Sequence, residues 1–226
     1  MDDFDPLHGT RHAAGRPLAQ GLAPRPDGPA ARRVNDPAPV VELRRYTLHP
    51  GARDTLVDLF EREFVTGQQD AGITLGGRFY DLDDPDRFVW IRSFPDMTRR
   101  RRALEAFYTG PVWRAHRDAA NATMADSDDV HLLRGPGYTP PPGTAEVTAV
   151  LCHPDDPAAF DAYAARHLTP AHALHRTEHA PNDYPLLPVH EGEDVRLWFG
   201  PADAAPPPGR ARLLRLAPVA PLTPRG

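Results

Sequence analysis

The chain has no lysine. All 26 of its basic residues are arginine, set against 31 acidic residues, for a formal charge of -5 and a pI near 6.1. That balance does not attract polyanions, so neither nucleic acid nor an acidic membrane surface is an expected partner. The single cysteine, Cys152, allows no intrachain disulfide and no thiolate zinc site, and suits a reducing compartment. No apolar run reaches the roughly 18 residues that a spanning helix requires. The start lacks the basic patch and hydrophobic block of a secretory signal, and Asp2, Asp3 and Asp5 argue against an organelle transit peptide. A cytoplasmic location is therefore expected. Nucleophile elbow, phosphate loop, paired-carboxylate motif and thiol-redox pair are also missing from the sequence. The heavy use of Pro, Ala, Asp and Arg is typical of a GC-rich bacterial genome, which makes an isolated arginine weak evidence for guanidinium chemistry.

The 28 prolines are unevenly spread and punctuate the chain. Residues 1–39 combine Pro, Gly, Ala and Arg with one aromatic, Phe4, and cannot bury enough apolar surface to offset their ordering entropy, so a disordered tail is expected. At Val40 the pattern changes. Val-Val-Glu-Leu-Arg-Arg-Tyr-Thr-Leu alternates like a half-buried strand and stops at His49-Pro50-Gly51, which opens an amphipathic helix over 52–69 with Leu56, Leu59, Phe60 and Phe64 on one face. A strand over 73–81 follows, with Gly76-Gly77 marking a bulge or a close approach, and then a turn and a strand over 87–94. A helix capped by Asp96 breaks at Gly110-Pro111, resumes over 112–124, and leads to a strand over 128–134. The order is β-α-β-β-α-β, the ferredoxin-like unit.

A stiff Pro/Gly linker at 136–144 comes next. After it the opening recurs: 145–152 reads as a strand, His153-Pro154 repeats His49-Pro50, and Asp156-Pro157 supplies a cap and a first-turn proline. Glu146 answers Glu42 at the same offset as the two His-Pro steps, Trp198 answers Trp90, and Arg212-Leu213-Leu214-Arg215 matches His131-Leu132-Leu133-Arg134. The expected fold is α+β, with tandem ferredoxin-like units at 40–135 and 145–218 and a tail at 219–226. The second unit is truncated, because a proline-rich loop at 200–209 stands where the first has its second helix.

Glu42, Leu43, Arg44, Tyr46, Leu48, Pro50 and Gly51, with Arg87-Phe88-Val89-Trp90 and the stretch from Phe107-Tyr108 through Trp113, His116, Asn121 and Met124, resemble the NIPSNAP family. The resemblance covers about 40–134 and implies the dimeric α/β-barrel fold, in which two ferredoxin-like sheets face each other. That superfamily includes cofactor-free monooxygenases, haem enzymes and lactone isomerases, so the resemblance implies a fold and leaves the chemistry to the site.

Strand parity sorts the side chains by face. Val41, Leu43, Ile73, Leu75, Phe79, Val89, Ile91, Val130 and Leu132 are expected to face the helices. Glu42, Arg44, Tyr46, Arg78, Tyr80, Phe88, Trp90, Arg92 and His131 are expected to face the second sheet. Rings mixed with charges on a face that can be covered point to a pocket between the sheets, where Arg44, Arg78 and Arg92 suit a carboxylate, phenolate or enolate and Tyr46, Tyr80 and Trp90 suit a flat ring. Plain inter-sheet packing, with Arg and Glu paired, predicts the same burial. Glu42 either neutralises a guanidinium or, unpaired, has a raised pKa. His131 is the general-base candidate on that face, and His116 on the broken helix is a second.

His172, His175 and His179 would share one face of a helix over 171–180, with His167 and His190 nearby. No carboxylate or thiolate completes a metal pattern, so a polar surface helix is expected, with neither metal nor cofactor. Four arginines at 99–102 read as a solvated run. The functional expectation is a small aromatic or anionic molecule bound between facing sheets. The alternatives are a cofactor-independent monooxygenase or isomerase, with His131 or His116 moving a proton, and a structural or assembly protein with a filled barrel. A homodimer is expected, because the missing helix leaves the second sheet under-covered.

Overall fold

The computed structural model describes residues 38–200 and 206–220. Apart from Ala38 and Pro39, the expected tail at 1–39 lies outside them. In chain order the elements are β1 (Val40–Leu48), α1 (Arg53–Leu59), a π-helical turn (Phe60–Phe64), α2 (Val65–Asp70), β2 (Thr74–Asp81), β3 (Arg87–Phe94), α3 (Met97–Tyr108), α4 (Pro111–Asn121), β4 (Met124–Asp126) and β5 (Val130–Arg134). They continue with β6 (Val147–His153), α5 (Pro157–His167), a 3-10 turn (Pro170–His172), β7 (His175–Thr177), β8 (Arg196–Phe199) and β9 (Arg210–Pro218). The expected caps form: the Asp96 carboxylate accepts from Arg99 N at 2.7 Å, and that of Asp156 from Ala158 N at 2.8 Å.

The strands pair antiparallel in two sets of four, β2-β3-β1-β5 and β7-β8-β6-β9. Pairing of β5 with β7 and of β2 with β9 closes them into one barrel within a single chain. The interior is filled. Val41, Leu43, Phe79, Val89, Ile91 and Leu133 from the first set meet Ala149, Leu151, Leu197, Phe199, Leu214 and Leu216 from the second, all buried. Burying each such branched or aromatic side chain contributes about 1.5–3 kcal/mol. Helices α1 to α4 cover the outer side of the first set, and α5 covers Val150, Cys152 and Trp198 through Phe160 and Tyr163.

Gly76-Gly77 is a true bulge. The β2–β3 register shifts between Leu75 and Arg78, and Gly77 N donates to Tyr138 O at 2.8 Å. A Cβ on Gly76 would stand 2.5 Å from that carbonyl oxygen, so only glycine lets the Pro/Gly connector dock there.

Three sequence expectations are corrected. Residues 171–180 form no helix, because Ala173 turns left-handed at φ 46° after the 3-10 turn and the chain then enters β7. Val219, assigned to the tail, donates its N–H to Arg78 O at 2.8 Å and packs in the core. A short strand, β4, precedes the last strand of the first half and extends the edge of β1. Among the described residues no helix is long and apolar enough to cross a membrane.

Candidate ligand pocket

Parity grouped the residues of β1 and β3 correctly but gave them the wrong neighbours. Val41, Leu43, Val89 and Ile91 point into the barrel, while Glu42, Arg44, Tyr46, Phe88, Trp90 and Arg92 point into the helix layer. The cause is chemical matching. The inner face of the second set is almost wholly aliphatic and takes the aliphatic stripe, whereas the helices bring Gln68, Arg100 and Tyr108 to meet the polar one. His131 does not share the face of Glu42. Leu43 pairs with His131 and Glu42 with Leu132, so β5 keeps its expected faces, with His131 on the barrel side, while Glu42 has moved to the helix side.

In the helix layer, three guanidinium groups surround one carboxylate. Arg44 Nη1 and Arg92 Nε donate to Glu42 Oε2 at 2.8 and 2.7 Å, and Arg100 Nε donates to Oε1 at 2.7 Å. The side chains of Glu42, Arg92 and Arg100 have no exposed surface. Burial alone would raise the Glu42 pKa and is the largest single influence. The combined fields of Arg92, Arg44 and Arg100 outweigh it and hold the carboxyl well below the usual range. Glu42 is therefore ionised, which excludes the raised pKa of an unpaired carboxyl. Arg100 Nη1 also donates to Asp183 Oδ1 at 2.6 Å and to Asn182 Oδ1 at 3.1 Å, and Arg92 Nη1 to Gln68 Oε1 at 3.3 Å and to Tyr108 Oη at 3.4 Å.

The charges do not cancel. Among the described residues, Arg44, Arg92 and Arg100 face only Glu42 and Asp183, which leaves one buried positive charge in excess. Among the described residues, Arg92 Nη2, Arg100 Nη2 and Trp90 Nε1 are buried donors without a partner. A buried cation with spare N–H groups is costly unless an acceptor arrives.

Beside this cluster opens a cavity of about 280 Å³, lined by Arg44, Tyr46, Tyr108, Trp113, Asn121 and Tyr184 among others. A narrow extension of about 30 Å³ shares Tyr46, Tyr108, Trp113 and Met124 with it and reaches Trp90. The walls are rings in edge contact: Tyr108 with Trp113 at 4.9 Å and Tyr46 with Trp90 at 5.8 Å, with Tyr184 stacked on Tyr108 at 6.3 Å. Arg44 Nε donates to Tyr46 Oη at 2.9 Å, and its guanidinium lies 5.6 Å from the Trp90 ring centre. Two larger clefts, of about 570 and 510 Å³, run along the Pro/Gly connector. The first offers Glu146 and Tyr138 as ionisable side chains, and the second Arg78.

Of the expected site residues, Glu42, Arg44, Tyr46, Trp90 and Arg92 come together. Arg78 and Tyr80 do not join them: the Arg78 fork is taken up by Glu61, and Arg53 lies over the Tyr80 ring at 4.9 Å. His116 faces Glu63 at 3.4 Å on the outside of the helix layer. Burial, then the charges of His190 and Arg45, push His131 down to about 3, so its imidazole is neutral. His172 caps its own turn through Thr169, while His175 is buried against Pro136 O and Leu197 O, so the expected histidine face does not form.

Sequence reasoning missed Arg100, Asn182, Asp183 and Tyr184. Arg100 had a visible signal, since it falls on the buried stripe of α3 with Ala103, Leu104 and Phe107. Asn182 to Tyr184 had none. Their loop is set by Asn182 Nδ2 donating to Leu187 O at 2.9 Å and Asn182 N donating to Glu191 Oε1 at 2.9 Å, a conformation of no fixed period.

Residues 41–134 match the NIPSNAP family model. The same half resembles a NIPSNAP family protein of unknown function from Agrobacterium tumefaciens, at 20% identity over 46% of this chain and 93% of that one, with a TM-score of 0.41. Two structures cover more of the chain. A candidate monooxygenase from Lactobacillus acidophilus matches 80% of this chain and 94% of its own at 11% identity, and another from Fusobacterium nucleatum matches 81% and 94% at 7%, each with a TM-score of 0.53. These two likenesses show the fold alone. No curated protein matches the chain.

Proposed function

Since this chain carries a NIPSNAP domain over residues 41–134, we propose that the domain binds a small planar molecule bearing an acidic oxygen, in the ring-lined cavity between its sheet and helices. The observation that carries this reading is the unbalanced buried charge: three guanidinium groups against two carboxylates, with Arg92 Nη2 and Trp90 Nε1 unpartnered. A carboxylate, phenolate or enolate would supply the missing negative charge at Arg44, while Tyr108, Trp113 and Tyr184 would hold the ring. The filled barrel is compatible with such a site, because the pocket lies outside it.

The cofactor-independent monooxygenase or isomerase is the second reading, favoured by the two solved structures described as candidate monooxygenases. Arginines beside a bound enolate would stabilise its charge. A proton-transfer step fits less well, because His131 lies on the other face of the sheet, His116 lies outside the pocket, and Glu42 is held ionised by three cations. The pairing supports an origin by duplication: β1 lies between β3 and β5 as β6 lies between β8 and β9. A homodimer would have to form through outer surfaces, such as the exposed Leu213 on β9.

The test is a tryptophan-fluorescence titration with salicylate and with its neutral amide. Saturable binding of salicylate, weakened by roughly tenfold or more for the amide and for Arg44→Ala, is expected. Equal binding of acid and amide would contradict the reading.

A further inference from the structure

The barrel side of β1 leads to a second cluster of polar groups. Asp129 stands just before β5 and His131 lies on it. His190 arrives from the loop before β8, held there by its N–H donating to Val130 O at 2.8 Å and by a parallel bridge with His131. Two imidazoles converge on one carboxylate oxygen: His190 Nε2 lies 3.2 Å from Asp129 Oδ1, and His131 Nε2 lies 3.8 Å from the same atom. The donor atoms of all three residues fall within 4.8 Å of one another. The other oxygen, Oδ2, accepts from Arg45 Nη2 at 2.7 Å, which fixes the carboxylate with Oδ1 turned toward the rings.

We propose that Asp129, His131 and His190 form a binding site for a divalent transition-metal ion of the zinc class, held by two imidazole nitrogens and one carboxylate oxygen. On a tetrahedral ion with bonds of about 2.0–2.1 Å, donor atoms stand roughly 3.4 Å apart. The observed 3.2 and 3.8 Å bracket that spacing. A hydrogen bond from His190 would account for the shorter contact, but it leaves unexplained why His131 aims the same nitrogen at the same oxygen. Exposure rises from 5% at His131 through 18% at Asp129 to 39% at His190, so the shared centre has one protein-covered side and one open to solvent. Three protein ligands with an open position are what an exchangeable or reactive zinc-class site requires.

The surroundings set the selectivity. Arg45, and Arg87 at 3.7 Å from Oδ2, offset the Asp129 charge. A hard cation such as Mg²⁺ or Ca²⁺, held by carboxylate charge, gains little there. An ion bound through nitrogen lone pairs gains more. His153, whose ring lies 6.3 Å from that of His131 and whose Nδ1 is 3.7 Å from Glu193, stands just beyond the three ligands. This site is separate from the ligand pocket, since Arg44 and Arg45 point to opposite faces of β1 and each serves one of the two.

The test uses the untagged full chain, stripped with chelator, titrated with Co²⁺ by visible absorption and with Zn²⁺ by calorimetry. One equivalent of each is expected to bind, with no saturable uptake of Mg²⁺. His190→Ala, which removes a partly exposed ring and leaves the core intact, is expected to weaken Zn²⁺ binding by roughly tenfold or more, while the exposed His179→Ala leaves it unchanged. A loss of less than about tenfold in His190→Ala, or no stoichiometric Co²⁺ or Zn²⁺ binding by the unaltered chain, overturns the proposal.

Discussion

Arg92 Nε donates to Glu42 Oε2 at 2.7 Å with neither side chain exposed to water. The pair joins the two central strands of the first sheet on the side facing the helices, and Arg44 and Arg100 complete it. Stability and pH response follow from this group of charges, as does the ligand preference proposed for the cavity.

Removing the one central carboxylate leaves three buried cations facing one another. Glu42→Gln is expected to cost about 3–5 kcal/mol, the usual consequence of breaking a buried ion pair from one side. Urea unfolding followed by circular dichroism measures it, and a change under about 1 kcal/mol would mean that the cluster is solvated.

Acid should act through the same group. The folded-state pKa of Glu42 is depressed below its ordinary 4.5. Its contribution is therefore fully present above that value and lost as pH falls from there toward the folded pKa. Arg44, Arg92, Arg100 and Asp183 are the charged groups in contact with the cluster. Unfolding free energy of the unaltered chain is expected to fall as pH drops below about 4.5, and Glu42→Gln should show a shallower acid limb. Parallel acid limbs would assign the effect to other carboxylates.

Within the run at 99–102 only Arg100 is structural. Arg100→Ala is expected to cost about 3 kcal/mol or more, whereas the exposed Arg101→Ala should stay within about 0.5 kcal/mol. Thermal unfolding of the two variants side by side makes the comparison.

Gly76→Ala places a methyl group 2.5 Å from Tyr138 O and should lift the connector off β2. A loss of about 1–3 kcal/mol is expected, with faster proteolysis in the 136–144 segment.

Much of the architecture was legible because it rests on local periods. Asp96 and Asp156 announced their helices, Gly76-Gly77 its bulge, and the paired His-Pro steps the starts of both helical connections. Parity also told which residues of β1 and β3 travel together. It could not tell what covers each face, because that depends on the chemistry of elements distant in sequence. Glu42 and Arg92 were expected to meet a second sheet, whereas Gln68, Arg100 and Tyr108 on the helices meet them instead. His131 kept its expected side but lost its expected company, because the faces of β1 and β3 are reversed and those of β5 are not. Tyr184 and His190 lie in an irregular loop whose placement depends on hydrogen bonds to Val130, Leu187 and Glu191, and no sequence period encodes these.

We infer that the uncompensated guanidinium cluster makes the helix-layer cavity a seat for an anionic ring. A crystal structure of the chain soaked with salicylate tests it most directly. Ring density is expected between Tyr108, Trp113 and Tyr184, with the carboxylate turned toward Arg44. Density confined to the clefts along the Pro/Gly connector, or an empty helix-layer cavity at saturating salicylate, would contradict it.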